Sequence, residues 1–305
     1  MHSAARTRLL NGLATRGAAL LLALLSMAAA IAADVPAMPA TSEDLAAAIS
    51  LRRNVLLGEV HDNGVQHALR FEALNRVVAA GARPAIAFEQ FDRERQPDID
   101  RVRRERPGDV DALVALGARN WEWTYYRPFV QLAVEYGLPI VAANLSRADA
   151  IKVSTRGWAA VFDPTDEAIL GLDHLPASFI AAHELAVAQG HCNLLPAESL
   201  SALARAQIAR DIVLARALRP YLPGGVVLLT GNGHVRKDIG VPFWLTPEER
   251  RDLVVIALLE SDAVANEGSA DERRQRYDVV VETLAAERPD PCDALRRRLR
   301  APSSK

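Results

Sequence analysis

Val226-Val227-Leu228-Leu229-Thr230-Gly231-Asn232-Gly233-His234 opens as a short aliphatic run and breaks into Gly-x-x-His. Asn54-Val55-Leu56-Leu57-Gly58-Glu59-Val60-His61 ends the same way. Buried parallel strands read as short, continuous β-branched and aliphatic runs. In open α/β sheets, ligand sites gather beyond the carboxyl ends of such strands. The chain therefore twice places a glycine, which permits close backbone approach, and then an imidazole where a site is expected.

Working outward, the strand near 54–58 is followed by a helix that Asp62 or Asn63 can cap, with Phe71, Leu74 and Val78 on one face. Gly81 and Pro84 end it, and Ala85–Glu89 supplies the next strand of a βαβ unit. Residues 92–120 turn dense in Arg, Asp and Glu, which suits a helical excursion better than a buried strand. Trp121-Glu122-Trp123-Thr124-Tyr125-Tyr126-Arg127-Pro128 then concentrates aromatic residues in an aromatic-poor chain. A helix near 128–137 leads to a strand at Pro139–Asn144, and 146–220 reads as helical with turns at Gly157, Pro164, Pro176 and Pro196. Pro223-Gly224-Gly225 turns into the strand 226–230, and Leu253–Leu259 is another strand. The pattern predicts an α/β fold: a largely parallel sheet flanked by helices, with a smaller helical insertion. Its helical insertions fall near 92–130 and 160–220 of a domain spanning 51–290, followed by a tail at 291–305.

The chain has 305 residues, half of them hydrophobic, which suffices for a globular core. Arg6, Arg8 and Arg16 followed by the uncharged Gly17–Ala33 run read as a signal peptide over 1–33, with Ala30-Ile31-Ala32 as the small-x-small cleavage pattern. The apolar core is short for a membrane span, and no cysteine follows it to carry a lipid. Residues 34–50 are expected to be a flexible leader rich in Ala and Pro. The expected product is a soluble exported protein, periplasmic or secreted, with no nucleic-acid partner, since the net charge is −2 and no dense basic stripe precedes Arg296-Arg297-Arg298. Export also permits a disulfide between Cys192 and Cys292; two free thiols are the alternative.

Four residues sit at or just past strand ends: Glu59, His61, Glu89 and His234. Two imidazoles and two carboxylates suit a divalent metal ion, or serve as acid and base without one, or merely hydrogen-bond the loops that follow. Asn144 and Arg147 close another strand, and the fork of Arg147 can hold a carboxylate. His183, His191 and Cys192 lie in the helical insertion at a spacing that matches no common structural zinc motif. Trp121, Trp123, Tyr125 and Tyr126 form either core or a flat aromatic pocket, and a tyrosinate can ligate ferric haem.

Gly58-Glu59-Val60-His61-Asp62-Asn63, Phe88-Glu89-Gln90-Phe91-Asp92, the 121–128 stretch, His191-Cys192, Ala206-Gln207-Ile208-Ala209-Arg210-Asp211 and Gly231–Pro242 together resemble the ChaN family, haem-binding proteins of the Tiki superfamily. The resemblance spans about residues 50–260. It implies an α/β core and haem/iron uptake, with possible partners among uptake components at the membrane. It also implies a homodimer holding two haems face to face, with a tyrosine on the iron; Tyr126 is the first choice and Tyr125 the second. Trp121, Asn144, Arg147, His191 and Gln207 are the further candidate haem-binding residues. The superfamily also contains metal-dependent proteases and erythromycin esterases, whose glutamates and histidines match Glu59, His61, Glu89 and His234. A metal-dependent hydrolase is therefore the alternative.

Overall fold

Six apolar runs become strands: β1 (Asn54–Leu57), β2 (Ala85–Asp92), β3 (Ile140–Asn144), β4 (Val226–Leu229), β5 (Leu253–Glu260) and β6 (Val279–Thr283). They form one sheet in the order β3-β2-β4-β1-β5-β6, and every neighbouring pair is parallel. The structure, a computed structural model, describes residues 41–261 and 264–300. The expected signal peptide and the leader as far as residue 40 lie outside the described residues.

Side chains along a strand alternate between faces, and here both faces are covered. Leu56, Ala87, Val141, Leu228 and Val255 pack on one face. Val55, Leu57, Ile86, Phe88, Val227, Leu229 and Ile256 pack on the other. This two-sided burial is why the strands read as unbroken apolar runs. Each of the Val, Leu, Ile and Phe side chains among them contributes about 1.5–3 kcal/mol.

The helices that frame the site are α1 (Ser42–Ile49), α2 (Gly64–Ala79), α3 (Trp123–Glu135), α4 (Arg147–Arg156), α5 (Ala177–Gly190), α6 (Ala197–Leu218), α7 (Asn232–Val235) and α8 (Pro291–Arg300). The first face is covered by Ile208, Ile212 and Leu218 of α6. The second is covered by Leu45 of α1, Leu74 and Val78 of α2, and Phe129 and Val130 of α3. Asn63 caps α2 by accepting from the Gln66 amide at 3.0 Å.

Several boundaries depart from the sequence reading. The expected leader is helical in its second half, because Leu45, Ala48 and Ile49 recur at helical spacing and bury against the sheet, behind a Thr41 cap. Helix α3 begins at Trp123 rather than near 128, because the Glu122 side chain accepts from the Thr124 amide at 3.3 Å and caps it there. β2 runs on past Glu89 to Asp92, and β6 and α8 were not anticipated.

Two side-chain devices finish the sheet. At its β3 edge, Gln96 donates from Nε2 to the Ile140 carbonyl at 3.0 Å and accepts from the Ala142 amide at 2.7 Å. At the other side, Arg288 grips Glu260 through two bonds of 2.8 and 2.6 Å. Beyond it Cys292, in α8, forms a disulfide with Cys192, just past α5. Among the described residues, no helix is long and apolar enough to cross a membrane.

Candidate functional site

The strand register brings the Gly-x-x-His segments together. Leu57 and Phe88 both pair with Leu229, so Gly58, Glu89 and Thr230 stand at one level, just past the ends of β1 and β4. The Asn232 amide donates to the Glu59 carbonyl at 3.0 Å, which ties the two loops. The side chain of Asn232 reaches β5, accepting from the Leu258 amide at 3.2 Å and donating to its carbonyl at 2.6 Å. Both glycines serve this crossing. A β-carbon on Gly58 would lie 2.2 Å from Oδ1 of Asn232, and one on Gly231 would strike the His61 ring.

His61 and His234 line one cavity of about 660 Å³, together with Glu89. Glu89 accepts from the Thr230 hydroxyl at 2.6 Å and from the Gly231 amide at 2.9 Å. Nε2 of His234 lies 3.6 Å from its other oxygen. On the far side of that ring, Nδ1 lies 2.6 Å from Oδ1 of Asp211, delivered by α6. A half-buried imidazole thus stands between two buried carboxylates.

The ionisations follow from this sandwich. Burial opposes the charge on Glu89, but His234, His61, the Thr230 hydroxyl and the Gly231 amide outweigh it and hold the carboxyl down at about 2. Burial pushes Asp211 up to about 6, against the pull of His234. Burial works against protonated His234, yet Asp211 and Glu89 raise it above an ordinary imidazole. The two carboxylates thus favour the protonated form of His234, and through them the ring ties α6 to β2.

Glu59 lies beneath the cavity, 2% exposed. Its Oε1 accepts from the Tyr126 hydroxyl at 2.5 Å and sits 3.0 Å from Nδ1 of His61. Its Oε2 contacts the guanidinium of Arg70 and faces Nδ1 of His67 at 3.6 Å. Arg70 is fully buried, and that burial brings it down to about 10. The carboxylate and Tyr126 thus act from behind to fix His61, whose side chain is 49% exposed.

The walls of the cavity differ. Trp121 and Tyr125 line it beside His61, with Trp121 edge-on to that ring at 4.7 Å and Tyr125 stacked on His67 at 4.4 Å. Asn144, Arg147, Gln207 and Arg210 line it from the β3 end and α6. Asp62, Asp92 and Glu122 add acidic groups.

Of the anticipated residues, Trp121, Tyr125, Asn144, Arg147, Gln207, His61, Glu89 and His234 therefore share the cavity. Tyr126 does not open onto it: the side chain is fully buried and its hydroxyl is engaged by Glu59. His191 is also elsewhere; it caps α5, with Nδ1 2.8 Å from the Val187 carbonyl. The divalent-metal expectation is not supported. Among the described residues no three His, Cys, Asp or Glu side chains form a metal-holding group. Glu59 is taken up by Arg70, Tyr126 and His61, and the second nitrogen of His234 faces a carboxylate. Arg70 and Asp211 escaped assignment. The available signals were Arg70 one turn from Leu74 on the buried face of α2, and Asp211 inside the Gln207–Asp211 motif.

Comparison with known proteins agrees with this architecture. ChaN of Campylobacter jejuni, which binds haem cofacially, has a similar solved structure. Its TM-score is 0.62 at 20% identity, covering 78% of this chain and 90% of that one. That likeness is one of fold. The type III effector HopBA1 matches at a TM-score of 0.45 and 14% identity, over 84% of this chain and 100% of that one. A mutant of the erythromycin esterase EreC, in its open conformation, matches at 0.42 and 15%, over 72% of each. No curated protein matches the chain. The profile of the haem-binding uptake family, ChaN, of the Tiki superfamily matches residues 45–245, which take in the whole lining of the cavity from His61 to His234, and the chain belongs to that family.

Proposed function

We propose that this protein binds haem in the cavity at the carboxyl ends of β1, β2 and β4, and that it serves haem uptake outside the cytoplasm. The observation that carries the reading is the phenol of Tyr125, on the cavity wall beside the half-exposed His61 and the ring of Trp121. A flat, largely apolar macrocycle suits an aromatic wall, and a phenolate oxygen suits ferric iron. About 660 Å³ is within the range of cofactor sites. Bound haem would supply an iron centre open to axial ligation. The chain supplies the oxygen of Tyr125, the shape of the wall and an imidazole steadied by Glu59.

The ligand role falls to Tyr125 rather than Tyr126. Burial holds the Tyr126 phenol above its ordinary value, and freeing its oxygen would remove the hydroxyl that donates to the buried Glu59. Hemin titration followed by absorption tests this. Wild type is expected to develop a ferric Soret band. Tyr125→Phe should weaken and shift it, whereas Tyr126→Phe should destabilise the fold while leaving the band in place. No band in wild type, or a band indifferent to Tyr125→Phe, would overturn the reading.

Export follows from the basic-then-apolar start of the sequence, and the expected compartment is the periplasm or the medium. Fractionation of cells carrying the full chain tests it. A homodimer with facing haems is proposed from the family, and its partners in uptake would be components at the membrane. Sedimentation with and without hemin should show a mass that doubles or stays dimeric on loading.

A further inference from the structure

We infer that the Cys192–Cys292 bond is a redox-sensitive brace between two sides of the cavity, and that a dithiol which opens it speeds the entry and exit of haem. The effect on haem rests on the reading above; the brace itself does not. On one side, the arm that follows β6 is fastened to the loop after β1. Nδ2 of Asn63 donates to the Leu284 carbonyl at 2.9 Å and to Oε1 of Glu260 at 2.7 Å. The Ala286 amide donates to the same Oε1 at 2.9 Å. Arg288 holds Glu260 and reaches Oδ2 of Asp62 at 3.3 Å. Asp62 lines the cavity beside His61, so the arm grips the loop that carries that imidazole. On the other side, α6 brings Gln207 and Arg210 to the lining. Arg210 meets Asn144 at the carboxyl end of β3, and Leu218 lies toward the start of β4. The ten residues before Gln207 therefore rise past the strand ends by about 15 Å. There the turn out of α5 carries Cys192, and Cys292 of α8 is bonded to it.

Little else fixes that corner. Among the described residues, the hydrogen bonds of 190–199 stay within the α5–α6 pair, and none of these residues forms an ion pair. No residue from 190 to 203 is buried. Cys192 turns at φ 58°, in the left-handed region that favours glycine, so the turn is kept by its bond rather than by local preference. Both cysteines are partly exposed, which lets a reductant reach them. The step balances. A thiolate of the dithiol attacks one sulfur, the sulfur–sulfur bond breaks, and the dithiol closes to its own disulfide while the chain gains two electrons and two protons as two thiols. Helix α6 then stays fastened at the sheet, through Asp211 to His234 and Arg210 to Asn144, and loosens at its start. One side of the cavity is freed from the other.

Hydrogen exchange read by mass spectrometry, on the full chain with and without dithiothreitol, tests the brace. After reduction the amides of 188–200 and 284–292 should exchange about tenfold faster, while those of β1, β2 and β4 stay protected. Stopped-flow uptake of hemin, and its loss to excess apoglobin, test the consequence. A loosened opening raises both rates and leaves their ratio nearly constant, whereas damaged binding contacts raise the exit rate alone. Reduction should raise both by about fivefold. Cys292→Ser should match the reduced protein and ignore the dithiol. Arg288→Gln keeps the disulfide but weakens the grip on Asp62, so it carries the test if Cys292→Ser misfolds; it should raise both rates in part. Unchanged exchange at 188–200 on reduction overturns the brace, whatever hemin does. So does an exit rate that rises alone, or a pair of rates indifferent to both reduction and Arg288→Gln. A protein that takes up no hemin overturns the haem reading, and hydrogen exchange then decides the brace by itself.

Discussion

A β-carbon placed on Gly231 would lie 2.7 Å from Cε1 and 2.9 Å from Nε2 of His61. The backbone of Gly231, at φ −69° and ψ 153°, is open to any residue, so glycine is required there for space rather than for conformation. Gly231→Ala should drive the imidazole off Glu59 and cost about 1–3 kcal/mol. Adding His61→Ala should restore most of that loss, because the obstructed ring is gone. Urea unfolding of the two single variants and the double variant measures this coupling.

The fully buried Arg70 is matched by the buried carboxylate of Glu59. Arg70→Met leaves that carboxylate without its cation and should destabilise the fold by about 3–5 kcal/mol. Arg70→Met/Glu59→Gln should be more stable than Arg70→Met. Denaturant midpoints at constant slope would establish the order.

Acid should destabilise the protein below pH 6.5. Burial lowers His183 and His67 from 6.5 to about 4. The unfolded imidazole takes a proton near 6.5, while the folded one refuses it until about 4. Their contribution is thus complete above pH 6.5 and is lost as pH falls toward 4, each on the order of 3 kcal/mol. His183 packs edge-on to Phe179 at 4.7 Å, outside the cavity lining. His183→Leu should flatten the stability profile between pH 6.5 and 4, as followed by thermal unfolding across that range.

The Cys192–Cys292 bond closes a loop of 100 residues. Constraint of the unfolded chain over such a loop is worth about 4–5 kcal/mol in the chain-entropy description. Cys292→Ser, or reduction of the native protein, should lower stability by that order. Calorimetry under oxidising and reducing conditions is the check. An unchanged melting temperature would rule the constraint out.

Five of the six strands were legible because each is a short apolar run set off by Gly, Pro or charge. Val279–Thr283 was missed: its apolar part is three valines between Asp278 and Glu282, too brief to stand out without the β5 ladder beside it. The cavity was legible because parallel strands send Glu89, His61 and His234 out of the same end of the sheet. The choice between Tyr125 and Tyr126 was not. Successive residues on a helix point about 100° apart, so their directions depend on where α3 begins, and that is set by Glu122. Arg70 and Asp211 stayed hidden because what commits each is a partner from another element, Glu59 and His234.

With Gln96 filling the bonding positions of Ile140 and Ala142, β3 has no room there for a visiting strand. Open sheet margins recruit neighbours and seed insoluble ladders. This molecule carries a plug on that flank, made from a single amide, while Val279–Thr283 forms the opposite margin.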